Sequence, residues 1–105
     1  MTLPAGLRPL PGEVPAGVVE ASAYLRGAGV EPMAWSNGSG DRYAAHDHPF
    51  TKLLVCAEGS ITFLVGEDEV AVELRAGQGF ELPPHTRHAA VVGATGCTCV
   101  EGHRR

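Results

Sequence analysis

Apolar and polar residues alternate through 70–76, where Val70, Val72 and Leu74 fall on one face and Ala71, Glu73 and Arg75 on the other. A period of two marks a β-strand with one buried face. Short runs of similar character recur at 18–25, 30–35, 42–48, 52–58, 60–66, 79–83, 88–94 and 97–102. Each is closed by glycine, by proline or by a polar turn such as SNGSGD (36–41) or EDE (67–69). No segment carries a sustained 3.6-residue apolar period. The pattern therefore predicts an all-β fold of about nine short strands, a sandwich or a barrel. Residues 1–17 read differently. Pro4, Pro9, Pro11 and Pro15 predict an irregular, proline-rich N-terminal arm, leaving 18–105 as a single domain.

Length and charge narrow the function classes. A chain of 105 residues suffices for one compact domain but not two, and a homodimer is a reasonable expectation at this size. The net charge is −4, and the only basic block is the terminal Arg104–Arg105 after His103. A nucleic-acid partner needs a basic stripe or patch, so none is expected. No apolar run approaches the length of a membrane span, and the prolines of MTLPAGLRPLPGEVPAG are unlike a secretory segment. With an odd set of cysteines, Cys56, Cys97 and Cys99, the expected location is the reduced cytoplasm.

The candidate chemistry lies in the histidines. His46 and His48 are two apart, which on a strand puts both imidazoles on one face. His88, after the turn LPPHTRH, is the natural third ligand from another strand. Three imidazoles can hold a divalent transition metal with positions left open, although an HxH pair alone is common on exposed strands that bind nothing. His85 lies within the turn, and His103 reads as a terminal surface residue.

These residues resemble the cupin superfamily. Its first motif, G(X)5HXH(X)3,4E(X)6G, is matched by Gly40, His46, His48 and Gly59, with Lys52 in the glutamate slot. Its second, G(X)5PXG(X)2H(X)3N, is matched by Gly77, Pro83 and His88, with His85 in the glycine slot and Val92 in the asparagine slot. The resemblance covers 40–92 closely. It implies a jelly-roll β-barrel, often dimeric, with His46, His48 and His88 as metal ligands. Fe, Mn, Ni and Zn are equally compatible with imidazole, and oxygenase, isomerase and decarboxylase chemistry are all open.

Lys52 is the main departure. A protonated lysine has no lone pair to give and adds positive charge beside a cation. Three readings stay open. The histidines hold a metal while Lys52 contacts a bound anion. The barrel is metal-free and binds an anionic small molecule, as a sensing or binding module without catalysis. Or Lys52 is deprotonated by burial and acts as a catalytic base or nucleophile. The expected ligand pocket comprises Lys52, Cys56, Glu81, His85, Trp35 and Phe50. Cys56 shares the Lys52 face by alternation, Glu81 is a candidate counter-ion for Lys52, and Trp35 and Phe50 are candidate walls. Cys97, Cys99 and Glu101 share one face of the last strand, where core packing is the expected role of the thiols.

Overall fold

In a computed structural model of the protein, described for residues 3, 4 and 6–105, the chain forms one helix and six strands. The elements are α1 (Val18–Gly27), β1 (Met33–Asn37), β2 (Arg42–His46), β3 (Thr51–Val65), β4 (Val70–Arg75), β5 (Gln78–Leu82) and β6 (His88–Arg104). All strand pairings are antiparallel.

Two long strands organise everything else. The first half of β3 lies between β5 and the second half of β6, which also pairs with β1. The second half of β3 lies between β4 and the first half of β6, which also pairs with β2. Two four-stranded layers result, joined by strands that pass from one to the other. This is the cupin jelly roll. The crossing points are irregular, with register shifts between Cys56 and Glu58 and between Gly59 and Ile61. Gly59 and Gly96 meet there, both at positive φ (72° and 79°). A Cβ on Gly59 would lie 2.0 Å from the Gly96 carbonyl oxygen, so only glycine fits the bend. The sequence pattern divides 52–66 and 88–102 at these glycines, which are bulges within continuous strands and not turns between short ones.

The helix corrects the strand expected at 18–25. Only Ala21 and Leu25, one turn apart, are fully buried, and Val19 is 76 % exposed. A stripe of one small and one large apolar residue is too narrow to stand out from β-branched Val18 and Val19. Glu20 in the first turn and Arg26 in the last complement the helix dipole. Gly29, at φ 88°, ends the helix in the left-handed region.

The jelly roll has two cores because both faces of one layer are covered. Leu54, Cys56, Ile61, Phe63, Val72, Leu74, Phe80 and Val92 fill the interior. On the opposite face Leu53, Val55, Ala57 and Val100 are covered by Ala21 and Leu25 of α1 and by Leu10. The proline-rich arm thus packs on the strands. Arg8 and Glu81 exchange backbone hydrogen bonds of 3.0 and 2.7 Å, and Tyr24 donates its hydroxyl to the Pro11 carbonyl at 2.6 Å. Met1, Thr2 and Ala5 of that arm lie outside the described residues. Among those residues no helix is long and apolar enough to cross a membrane.

Candidate functional site

His46 ends β2 and His88 begins β6, and the two are directly opposed in the strand register. His48 follows β2 in a loop pinned to the Pro83–Arg87 turn by the His85 N–H, which donates to the His48 carbonyl at 2.7 Å. The three ring centroids stand 4.4 to 5.2 Å apart, and one donor nitrogen from each ring lies within 4.8 Å of the others. His46 is exposed, His48 half-buried and His88 buried, so the cluster spans the mouth and the interior of the barrel.

The donor chemistry fits a metal. His46 Nδ1–H donates to the Ala44 carbonyl at 2.7 Å, and His88 Nδ1–H donates to the Thr86 carbonyl at 2.9 Å. A carbonyl only accepts, so each ring carries its proton on Nδ1 and keeps a lone pair on Nε2. Backbone carbonyls commonly orient metal-binding imidazoles in this way. His48 Nε2 is buried with no hydrogen-bond partner among the described residues. An orphaned buried ring nitrogen beside two pre-oriented imidazoles gives a set of three donors that could hold a metal ion. The rings of His48 and His88 are also held neutral. Burial, then Lys52 and the neighbouring imidazoles, lower His48 to about 4. Burial is likewise the main cause lowering His88, partly opposed by its bond to Thr86.

A cavity of about 200 Å³ opens beside the cluster. Its polar end is formed by His46, His88, Lys52 and Glu101, and its walls by Trp35, Tyr43, Leu54, Phe63 and Ala90. Lys52 points inward, with a side chain only 12 % exposed. Its partner is Glu101, not the expected Glu81. In the register Glu81 lies opposite Leu53, on the other face of the layer from Lys52, where it pairs with Arg104. Glu101 lies opposite Leu54, one step along the inner face, with its Oε1 3.5 Å from Lys52 Nζ.

Glu101 is the residue that sequence reasoning missed as part of the site. Trp35 Nε1–H donates to its Oε1 at 2.7 Å, and His103 Nε2 lies 2.5 Å from its Oε2. Burial works to raise this carboxyl, but Lys52 and the bonds from His103 and Trp35 outweigh it and hold it below its ordinary value. Only the alternation of Cys97, Cys99 and Glu101 on one face hinted at it. His103 is correspondingly not a loose terminal residue, since it lies across from Lys52 and its ring stacks on Phe50 at 4.0 Å.

The other expected pocket residues fall elsewhere. Phe50 does not line the cavity; it is stacked between His48 and His103 and braces both. Cys56 shares the Lys52 face but lies deeper, fully buried opposite Cys99. His85 is exposed in its turn at φ 59°, which explains a glycine slot there in the cupin pattern. Trp35 alone of the two proposed aromatic walls faces the cavity.

Known proteins bear the fold out. The chain superposes on an RmlC-like cupin from Shewanella frigidimarina with 27% identity and a TM-score of 0.62, over 70% of this chain and 64% of that one. The match therefore spans less than two thirds of the Shewanella protein. A protein from Neisseria meningitidis aligns at 22% identity and TM-score 0.59, over 70% of this chain and 72% of that one. A cupin superfamily protein from Desulfitobacterium hafniense aligns at 14% identity and TM-score 0.62, over 72% of this chain and 68% of that one. No curated protein sequence matches the chain. The sequence profile of the AraC-like ligand binding domain matches residues 34–99, which run from the second residue of β1 into β6 and hold all three clustered histidines and most of the cavity wall. The chain belongs to the AraC-like ligand binding domain family and carries it on a cupin jelly roll.

Proposed function

We propose that the protein binds a divalent transition metal through His46, His48 and His88 and holds a small, acidic molecule beside it in the barrel. The observation that supports this most is the orphaned, buried Nε2 of His48 next to two imidazoles whose Nδ1 protons are already committed to carbonyls. Fe, Mn, Ni and Zn all suit such a donor set. A bound ion would supply Lewis acidity for chemistry of the isomerase or decarboxylase kind or, where redox-active, oxygen activation of the oxygenase kind. The protein's own residues do the rest. The apolar walls exclude water, Lys52 donates to an acidic group of the ligand, and Glu101 fixes Lys52 and Trp35 in place. A cytoplasmic homodimer belongs to the same reading, with the three free thiols favouring a reducing location.

A second reading has its own support. Membership of a ligand-binding family favours a module that binds or senses a small molecule without catalysis, and without metal. Titration of chelator-stripped protein with Mn, Fe, Ni and Zn salts, followed by the imidazole ring protons in NMR, separates the two. The metal reading expects one saturable site that moves the rings of His46, His48 and His88 together. Binding of none of the four ions would leave the metal-free module.

A further inference from the structure

The cavity's lining is selective in a way that neither three histidines nor family membership specifies. Its neutral polar groups are already engaged. The Tyr43 hydroxyl donates to Asn37 Oδ1, and Trp35 Nε1–H donates to Glu101. Both Glu101 oxygens are taken, Oε1 by Trp35 and Lys52 and Oε2 by His103. Among the described residues no serine, threonine, asparagine or glutamine side chain lines the space. The uncommitted donors are all at one end, the remaining N–H groups of Lys52; beside them the Nε2 lone pairs of His46 and His88 are acceptors facing the position a metal would take. Leu54, Ala90, Phe63 and the Trp35–Tyr43 pair, packed edge to face with centroids 5.5 Å apart, supply an apolar and largely aromatic wall.

We propose that the ligand is a small molecule with one acidic head and a flat, apolar body, and that the cavity rejects sugars and other polyols. A sugar would bury a hydroxyl from nearly every carbon, and only those at the Lys52–imidazole end could find a partner, the rest lying against apolar and aromatic walls. Each unpaired hydroxyl lowers affinity by about tenfold or more. An acidic head meets Lys52 and the metal end, while a ring lies against Trp35, Tyr43 and Phe63. Size agrees with a compact ligand. A space of 200 Å³ holds about seven waters, or about ten covalently bonded atoms at protein-like packing density. The inference rests on the cavity being the ligand site and does not require the metal to be present.

Trp35 is the only tryptophan and lines the cavity, so its fluorescence reports occupancy directly. Phenylacetate, its neutral analogue phenylacetamide, and L-arabinose are titrated into the full chain, in metal-loaded and chelator-stripped forms, with metal content measured in parallel. Phenylacetate is expected to quench saturably and to bind at least tenfold tighter than phenylacetamide. Arabinose is expected to give no response at a hundredfold higher concentration. Arabinose binding as tightly as phenylacetate, no preference for the acid over the amide, or no saturable response to any probe would overturn the proposal. Phenylacetate binding to protein that takes up no metal would sustain it and remove the metal reading; arabinose preferred by a stoichiometrically metallated protein would do the reverse. Ala90→Leu, which fills the cavity, should weaken phenylacetate binding at least tenfold, with Leu54→Phe as a second filling variant. Unchanged affinity in a folded filling variant would place the ligand elsewhere, and the wild-type ranking decides without either variant.

Discussion

Glu101 is reached by donors from three strands: Trp35 on β1, Lys52 on β3 and His103 on its own strand. It is 7 % exposed, so removing it leaves a half-buried ammonium and an indole N–H without partners. Glu101→Ala should cost about 3–5 kcal/mol in chemical denaturation, as expected for breaking one side of a buried ion pair. A loss well below 1 kcal/mol would mean that water reaches Lys52 freely. The histidines make a separate prediction in pH. His48 and His88 have folded pKa values lowered from 6.5, His48 to about 4, so the unfolded chain binds more protons between those limits. Stability of the metal-free protein is therefore intact above pH 6.5 and falls as pH drops from 6.5 toward about 4. Urea midpoints across that range check the sign. The histidine cluster was legible from the spacing of His46, His48 and His88 within the two motifs, although His48 lies in the loop after β2 and not on a shared strand face. The Lys52–Glu101 pair was not, because it joins residues far apart in sequence. Only the β3–β6 register shows that Glu81 lies on the wrong face and Glu101 on the right one.

Among the elements, the alternating strands were legible and α1 was not. Strand β4 was plain because Val72 and Leu74 are buried between exposed neighbours. The helix hides its signal by burying Ala21 and Leu25 while leaving Val19 in solvent. Those two residues nevertheless close the second core over Leu53 and Val55. Leu25→Ala should destabilise by about 2–5 kcal/mol while leaving metal uptake intact, since the helix covers the face of the layer opposite the site. Loss of metal from the folded variant would show that the helix shapes the site through β3. At the bend, Gly59→Ala meets the Gly96 carbonyl and a positive φ together. It should destabilise by more than about 1 kcal/mol, read as a lowered denaturant midpoint. The sequence marked Gly59 and Gly96 as breaks. Whether such a break is a turn or a bulge depends on pairing with a distant strand, which local composition does not encode.

For the whole molecule, the bend of β3 and β6 brings β2, β6, β3 and β1 around one space. That places two of the three clustered imidazoles, an ion pair and three aromatic rings on a single cavity. An ion bound there stabilises the folded state in proportion to its concentration over its dissociation constant, so thermal stability should rise with added metal and fall with chelator. The most direct test is elemental analysis by mass spectrometry of untagged protein purified without chelator, beside His88→Ala. The account predicts close to one transition-metal ion per chain in the native protein and loss of that ion in a folded His88→Ala. Native protein that carries no metal, even after anaerobic reconstitution, or a variant that keeps its ion, would contradict it.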